Sequence, residues 1–296
     1  MRTTDTIKVV ANAKINLYLD VVGKRQDGYH NLETIFHSIG LHDELILNKQ
    51  VKKGISVICT HPDVPTDKRN LAYLAAQSLY DEVGGFGGIE IYINKSIPVA
   101  AGLAGGSANA AATLVGVNEL FDLGIDDEVI RHIGRELGAD VPFCLHGGAA
   151  FGSGIGDILE PLSPLTDISV VLINSGVQIT TKSVFDKLHI PLTRRENNSI
   201  IVKSYFETGD LFGIAGNLYN LLEIPVFSNY PKLSELKNEV SKQEGCLGVL
   251  MSGSGATLFA LMEDKSAAQQ CETYFKKRVN YCSITQTSSV GVYIAN

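Results

Sequence analysis

The sequence predicts a mixed α+β protein. Segments in which apolar and polar residues alternate, as in half-buried strands, are interspersed with segments in which apolar residues recur at helical spacing. The chain has 296 residues, of which 45% are hydrophobic and 19% charged, so it can bury a substantial core as one large domain or as two of ordinary size. No internal repeat, low-complexity tract or linker interrupts this pattern.

Charge and cysteine usage narrow the class of protein. The formal net charge is −7 and no run of basic residues occurs, which disfavours nucleic acid as a partner. The five cysteines are scattered without a CxxC pair, so neither a disulfide framework nor a zinc site is indicated, and we expect a reducing, cytoplasmic location. The first residues contain no long apolar run, and we therefore expect neither a signal peptide nor a membrane anchor.

The first predicted strand, Val9–Val22, carries two polar residues on one face. Lys14 and Asn16 are two positions apart, so in a strand their side chains point the same way. On residue type alone such a pair is more often solvent-facing than functional. Both interpretations stay open at this point.

A turn signal, Asp27-Gly28, follows the first strand. It places Tyr29 and His30 on a loop, where they are exposed candidates for ligand contact. The alternative is a surface hairpin whose aromatic residue folds back on the core. Thr34–Ile39 is then a further predicted strand.

The remaining elements follow from the same two periodicities. Further strands are predicted at Ile55–Cys59, Ile89–Asn94, Ala149–Asp157, Ile168–Ile173, on both sides of Ser252–Gly255, and at Ser289–Ile294. Helices are predicted at Asn70–Tyr80, Ala110–Phe121, Asp126–Leu137, Thr180–Leu188, Pro231–Lys242 and Ser266–Phe275. Asn70 and Asp126 are expected to cap their helices, and residues 190–210 are predicted as a loop with some helix.

The stretch Lys95–Leu114, between a predicted strand and a predicted helix, is a candidate phosphate site. Gly105, Gly106 and Ser107 open the helix, and a helix start has unpaired N–H groups and partial positive charge that suit an anion. The alternative is a flexible loop before a tightly packed, alanine-rich helix. The stretch lacks the Lys-Ser/Thr pair of a P-loop and does not match the dinucleotide fingerprint.

Asp140 is a second candidate for polar chemistry. The local pattern favours a helix cap, because Pro142 follows at an early helical position. Phe185, in a short predicted helix, is equally open between a core residue and a ligand contact.

Several segments resemble the motifs of the GHMP kinases, the superfamily of galactokinase, homoserine kinase and mevalonate kinase. Within it the chain is most similar to the 4-diphosphocytidyl-2-C-methyl-D-erythritol kinases, whose distinctive tetrapeptide Asp-Gly-Tyr-His stands at positions 27–30. The other matching segments are Ala13–Leu17, Pro98–Ala111, Gly138–Leu145, Asn217–Phe227 and Gly248–Leu261. The resemblance covers nearly the whole chain. It implies a two-lobed fold with the active site in the cleft, and we place an ATP-binding N-terminal domain at 1–160 and a C-terminal domain at 161–296.

The resemblance also implies which residues hold the nucleotide. Asn70 and Lys95 would lie around the adenine of ATP. Mg²⁺ would bridge the ATP phosphates, which one loop would hold through Pro98, Val99, Ala100, Ala101, Gly102, Leu103, Ala104, Gly105, Gly106, Ser107 and Ala108. The family often has Gly and Ser where this chain has Ala104 and Ala108, which leaves Ser107 as the better candidate for a phosphate or metal contact.

The same resemblance assigns the acceptor and the chemistry. Asp140 would take the proton of the acceptor hydroxyl, and Lys14 would stabilise the negative charges. The implied acceptor is the 2-hydroxyl of 4-diphosphocytidyl-2-C-methyl-D-erythritol, a small cytidyl diphosphate sugar alcohol. Its contacts would be Asn16, Phe36, Tyr29 and Phe185 on opposite faces of the cytosine, and His30 on the edge of the base. Two alternatives stay open: another GHMP kinase, such as a homoserine or mevalonate kinase, and a catalytically silent binding protein with this fold.

Overall fold

The computed structural model describes residues 5–188 and 198–295. Its strands are β1 (Thr6–Lys24), β2 (His30–Gln50), β3 (Ile55–Cys59), β4 (Gly88–Asn94), β5 (Ala149–Ser153), β6 (Ile158–Leu162), β7 (Ser169–Asn174), β8 (Tyr219–Asn220), β9 (Cys246–Met251), β10 (Leu258–Met262), β11 (Tyr281–Gln286) and β12 (Val292–Ala295). Its helices are α1 (Leu71–Glu82), α2 (Gly105–Leu120), α3 (Asp127–Leu137), α4 (Val141–His146), α5 (Thr181–Phe185), α6 (Asn198–Thr208), α7 (Leu211–Gly216), α8 (Glu223–Asn229), α9 (Pro231–Val240) and α10 (Lys265–Phe275).

The larger sheet is built on the long antiparallel pair β1 and β2. Its strand order is β12-β1-β2-β4-β3, while β5 also pairs with β2 and β6 with β5. β1 is buried without interruption from Val9 to Val21, which explains why its apolar and polar residues alternate so weakly in the sequence. A register shift between Asn12 and Ala13 interrupts the pairing of β1 with β2 just before Lys14.

The smaller sheet has the order β11-β7-β10-β9 and is antiparallel throughout. β7 and β10 are buried along their whole length, and both consist mainly of apolar residues. One face of this sheet contributes Leu172, Phe259 and Leu261 to the core of the larger sheet. The two sheets are therefore joined by continuous apolar packing.

Helices α1 and α2 pack against each other and α2 also covers β1 and β2. Because α2 consists largely of alanine and glycine on the packed face, it approaches the sheet closely; a Cβ on Gly116 would lie 2.4 Å from a methyl carbon of Leu47. Among the described residues, no helix is both long and apolar enough to cross a bilayer.

Most predicted elements are confirmed, with local differences. β2 runs well beyond the predicted Thr34–Ile39, and β6 and β11 were not predicted. Asp126 stands at the N-cap position of α3, but the described backbone of that helix donates no capping hydrogen bond to its side chain. Within the segment predicted as loop with some helix, α6 is helical, and residues 189–197 lie outside the described residues.

The division of the chain at residue 160 stays a prediction. β6 spans that position and belongs to the larger sheet, and β12, from the end of the chain, pairs with β1 in the same sheet. The larger sheet therefore uses residues from both sides of the predicted boundary.

Candidate active site

One cavity of about 1320 Å³ is lined by residues of the larger sheet and by loops that adjoin the smaller sheet. Its walls are formed by β1 from Lys14 onwards, the first residues of β2, the loop before α2, the start of α4 and the helix α5. Of the predicted site residues, the cavity lining includes Lys14, Asn16, Tyr29, His30, Phe36, Asn70, Lys95, Pro98, Val99, Ala100, Ala101, Gly102, Ala104, Gly105, Gly106, Ser107, Asp140 and Phe185. Leu103 and Ala108 do not line it, because both are buried beneath the loop.

Lys14 is buried on the cavity floor and is held by its neighbour on the same strand face. Its Nζ donates to Oδ1 of Asn16 at 2.8 Å, and the Asn16 amide donates in turn to the Thr34 hydroxyl at 2.8 Å. The Thr34 hydroxyl donates to the carbonyl of Tyr18 at 2.7 Å. This chain of bonds fixes the direction of both side chains, so the solvent-facing interpretation of the pair is wrong.

Asp140 lies at the start of α4 and faces Lys14. Its Oδ2 is 3.5 Å from Lys14 Nζ, and about a third of its side chain is exposed to the cavity. The described backbone of α4 donates no capping hydrogen bond to this carboxylate. Asp140 thus occupies the cap position with its backbone only, and its side chain is available for chemistry in the cavity.

Two apolar groups surround the Lys14–Asp140 pair. The Phe36 ring stacks on Phe143, with 4.8 Å between centroids, and lies 5.4 Å from Lys14 Nζ. Burial raises the pKa of the Cys144 thiol well above its usual value, and the Asp140 carboxylate raises it further. The thiol therefore stays protonated, and Asp140 is the group next to Lys14 that can accept a proton.

The loop before α2, which the sequence predicts as a phosphate cradle, lines the cavity. Ala100 and Ala104 adopt left-handed backbone conformations, with φ of 52° and 57°, and Ala104 is the residue from which α2 starts. This conformation is unfavourable for a residue with a Cβ, which accounts for the glycine that the family often has at position 104. Gly105, Gly106 and Ser107 then form the first turn of α2 and line the cavity, and the first N–H groups of a helix have no partner within it.

The loop between β9 and β10 supports this cradle from behind. Ser252 Oγ donates to the carbonyl of Gly102 at 2.9 Å, and a Cβ on Gly102 would lie 2.1 Å from the Ser252 carbonyl oxygen. The Asn220 amide donates to the carbonyls of Met251 and Gly253 at 2.7 and 2.8 Å, which fixes the supporting loop. Gly102 is required at this contact because no side chain fits there.

The opposite end of the cavity carries the aromatic residues. Tyr29 is 61% exposed, and its backbone N–H donates to Asp27 Oδ1 at 3.0 Å in the turn. A hydrogen bond from Arg25 holds the pKa of Asp27 below its usual value. The turn is thus shaped by polar contacts at the surface, and the Tyr29 ring itself projects freely.

His30 and Phe185 are in contact with each other. Their rings stack with 5.0 Å between centroids and an interplanar angle of 28°. Burial lowers the pKa of His30 and the nearby charge of Lys24 lowers it further, so the imidazole is neutral at pH 7 and can both donate and accept a hydrogen bond. Phe185 also packs against the core of the smaller sheet, as the core interpretation predicts, and its contact with a ligand stays a prediction.

Asn70 and Lys95 stand behind the cradle. The Asn70 side chain accepts from the N–H of Ala72 and caps α1, as predicted, while lining the cavity. Lys95 Nζ is paired with Asp43 Oδ2 at 2.8 Å and has almost no exposed side chain. Within residues 5–188 and 198–295, no group of three or more His, Cys, Asp or Glu side chains could hold a metal ion.

Comparison with known proteins agrees with this geometry. The family model for the GHMP kinase N-terminal domain matches residues 70–148, and the model for the GHMP kinase C-terminal domain matches residues 203–280. The 4-diphosphocytidyl-2-C-methyl-D-erythritol kinase of Clostridium perfringens is 40% identical over 96% of this chain and 99% of its own length. The enzyme of that name from Nostoc punctiforme is 42% identical over 88% of each chain. The chain belongs to the 4-diphosphocytidyl-2-C-methyl-D-erythritol kinases of the GHMP superfamily.

Solved structures show the same relationship. A crystal structure of a 4-(cytidine 5'-diphospho)-2C-methyl-D-erythritol kinase superposes with a TM-score of 0.81 at 31% identity, covering 95% of this chain and 99% of the other. Homoserine kinase from Cytophaga hutchinsonii superposes with a TM-score of 0.77 at 19% identity, covering 100% of this chain and 99% of the other. The second likeness shows the fold alone. The α+β GHMP fold and the kinase class predicted from the sequence are thereby confirmed.

Sequence reasoning missed several residues that shape the site of this GHMP kinase. Thr34 orients Asn16, Asn220 fixes the supporting loop, and Asp43 pairs with Lys95. A signal existed for Asp43, because it shares one strand face with Leu45 and Leu47, which are completely buried. A charged residue in an apolar row of a strand indicates either an edge of the core or a buried polar partner.

Proposed function

We propose that this kinase transfers the γ-phosphoryl group of ATP to the 2-hydroxyl of 4-diphosphocytidyl-2-C-methyl-D-erythritol, in the non-mevalonate route to isoprenoids. The observation that carries the proposal is the position of the Lys14–Asp140 pair in the same cavity as both the backbone cradle and the aromatic residues. The 40% identity to enzymes of this name supports the choice of acceptor.

The proposed chemistry begins with proton removal. Asp140 accepts the proton of the 2-hydroxyl, and the hydroxyl oxygen then forms a bond to the γ-phosphorus while the bond to the β–γ bridging oxygen breaks. Lys14, directed by Asn16, stabilises the charge on the transferred group, and ADP leaves. None of these reaction steps needs a covalent intermediate on the protein.

The cradle suits the polyphosphate of ATP. The N–H groups at the start of α2 and the Ser107 hydroxyl supply donors, and Gly105 and Gly106 leave room for phosphate oxygens to approach the backbone. Mg²⁺, when bound with ATP, neutralises phosphate charge. The Ser107 hydroxyl at the start of α2 would be its contact in the cradle, because Mg²⁺ keeps several waters and takes few protein ligands.

The aromatic end suits a pyrimidine. A flat base can stack on Tyr29 or Phe185, and neutral His30 can satisfy a donor and an acceptor on the base edge. The predicted arrangement, with Tyr29 and Phe185 on opposite faces of the cytosine, stays a prediction. In this structure the His30 ring stacks on Phe185. The predicted arrangement requires the cytosine to stack on Phe185 as well.

A coupled kinase assay with three acceptors tests the proposal. ATP consumption is measured with the cytidyl substrate, mevalonate and homoserine, and ³¹P NMR of the product locates the new phosphate. We expect turnover with the cytidyl substrate and a phosphomonoester at its 2-position. Preference for mevalonate or homoserine would replace the acceptor, and binding without ATP consumption would indicate a silent binding protein.

A further inference from the structure

Asp43 is a fully buried carboxylate next to, but outside, the proposed catalytic pair. It lies on β2 with no solvent exposure, in the same row as Leu45 and Leu47. An ionised group in such a position is costly unless every oxygen has a partner. The partners of Asp43 all come from the two ends of the phosphate cradle.

One oxygen of Asp43 holds the beginning of the loop. Oδ1 accepts from the backbone N–H groups of Ser96 and Ile97 at 2.7 and 2.8 Å. These residues connect β4 to the cradle at Pro98. The chain therefore leaves the sheet in a direction set by this carboxylate.

The other oxygen holds the side chains that meet the end of the loop. Oδ2 accepts from Lys95 Nζ at 2.8 Å. With its amide nitrogen turned towards Asp43, Asn109 of α2 donates to the same oxygen at 2.9 Å and to the carbonyl of Gly105 at 3.2 Å. Lys95 Nζ also donates to the carbonyl of Ile97 at 2.5 Å and lies 2.7 Å from where a Cβ of Gly105 would be.

We propose that Asp43 is a positioning residue for the nucleotide, which sets the cradle by joining its first residues to the start of α2 through Lys95 and Asn109. The inference rests on the proposed function only in taking ATP as the ligand of the cradle. The loop contains two alanines in left-handed conformations, so it needs such contacts to stay in one shape. Donors fixed before binding cost less to order when the ligand arrives.

Geometry and charge predict opposite results when the carboxylate is replaced. In Asp43→Asn the amide keeps the shape, but it loses the charge that balances Lys95 and presents a donor to Lys95 or Asn109. If charge alone mattered, the uncompensated Lys95 next to Gly105 of the cradle would strengthen ATP binding. If Asp43 sets the geometry, ATP binding weakens, by about tenfold or more for a displacement near 1 Å.

The experiment measures the affinity for a non-hydrolysable ATP analogue by titration, together with KM for ATP and for the acceptor, in wild type, Asp43→Asn and Asn109→Ala. Glu44→Gln is the matched control, because it removes a carboxylate from the next position, where the side chain pairs with Lys8 at the surface. We expect weaker analogue binding and a raised KM for ATP in both test variants. The acceptor KM should change less than about twofold, and the control should resemble wild type.

Three results would overturn the inference. Tighter ATP binding in Asp43→Asn would assign the Asp43–Lys95 pair an electrostatic role. An affinity for the analogue equal to that of wild type would make the pair only a contact that stabilises the fold. A uniform loss of activity that follows only the folded fraction would do the same. If Asp43→Asn does not fold, Asn109→Ala decides, since it removes one donor and leaves the Asp43–Lys95 pair in place. A wild type that binds the analogue but does not phosphorylate the cytidyl substrate refutes the proposed function and leaves this test intact.

Discussion

The phosphate cradle and the aromatic end line the same cavity, but they are held in place by different means. The cradle is fixed from below by Asp43 and from behind by Ser252, and both of these residues are buried. The aromatic end consists of Tyr29, which is mostly exposed, and the stacked rings of His30 and Phe185. We therefore expect ATP to meet a preformed surface, whereas the acceptor must order side chains as it binds.

This difference separates the expected effects of substitutions. Changes in the cradle should weaken ATP binding and, where they touch buried contacts, also lower stability. Changes at the aromatic end should weaken acceptor binding and leave ATP binding unchanged, and a change at Phe185, which packs against the core of the smaller sheet, should also lower stability. The Lys14–Asp140 pair lines the same cavity and should affect turnover without altering either affinity much.

The largest expected effect is on turnover, in a variant of Asp140. Asp140→Asn should bind both substrates and lose about 10²–10⁴-fold in turnover, because the amide keeps the shape but cannot accept the hydroxyl proton. Steady-state kinetics and circular dichroism measure this. Asp126→Asn is the matched control, an exposed helix-start aspartate far from the cavity. Near-normal turnover in Asp140→Asn would remove it from the chemistry.

The aromatic end should give the next largest effect. Tyr29→Ala and Phe185→Ala should each raise the acceptor KM by about 5- to 150-fold, since a lost stacking face costs about 1–3 kcal/mol. The KM for ATP should hardly change. Phe212→Ala, an exposed aromatic outside the cavity lining, serves as the control, and a melting curve corrects Phe185→Ala for lost packing. A raised KM for ATP instead would assign these rings to the nucleotide.

Two glycines of the cradle should respond differently to substitution. Gly106 leaves space for the ligand, whereas Gly102 leaves space for a close backbone contact within the protein. A Cβ on Gly106 would meet only Leu71, at an ordinary 3.6 Å, so Gly106→Val should fold and yet weaken ATP binding by about tenfold, because its side chain occupies the phosphate approach. Gly102→Ala should instead lower the melting temperature, because its Cβ meets the Ser252 backbone and its φ is +77°. Nucleotide titration and thermal melts measure the pair. Unchanged ATP affinity in a folded Gly106→Val would exclude the cradle from the nucleotide site.

The smallest effect is a dependence of acceptor binding on pH. The pKa of His30 lies below its usual 6.5, because burial disfavours the charged ring, and acidification below the lowered pKa protonates the ring and removes its hydrogen-bond acceptor. The acceptor KM should rise a few-fold below pH 6.5, as the loss of one hydrogen bond costs about 1 kcal/mol, while the KM for ATP should not follow. In His30→Gln this dependence should disappear. If the dependence persists in that variant, a different group titrates.

The sequence predicted the parts of the site that depend on local pattern. The helix start at Gly105 and the shared face of Lys14 and Asn16 follow from the periodicity of one segment. The direction of the Asp140 side chain does not, because the local pattern favours a cap and only Lys14, on a distant strand, shows why it turns away. Here the resemblance to a family supplied what the periodicity could not.

The missed residues share a physical reason. Asp43 is surrounded in the sequence by residues of an ordinary strand, and its partners come from a loop and a helix that reach it only in the folded protein. The contact between Phe185 and His30 likewise joins two elements far apart in the chain. Both depend on packing that no single segment encodes.

The strand β12 has a consequence for how the protein is made. It pairs with Lys8–Ala11 at the open edge of β1, and Gly291 just before it lies so close to α4 that a Cβ there would be 2.1 Å from the Cys144 carbonyl oxygen. During translation the ribosome delivers β1 and α4 long before β12. Until then the edge of β1 is open to pairing with other nascent chains, and the helix that begins after Asp140 lacks one of its walls. The larger sheet is thus complete only when the residues of β12 have been synthesised.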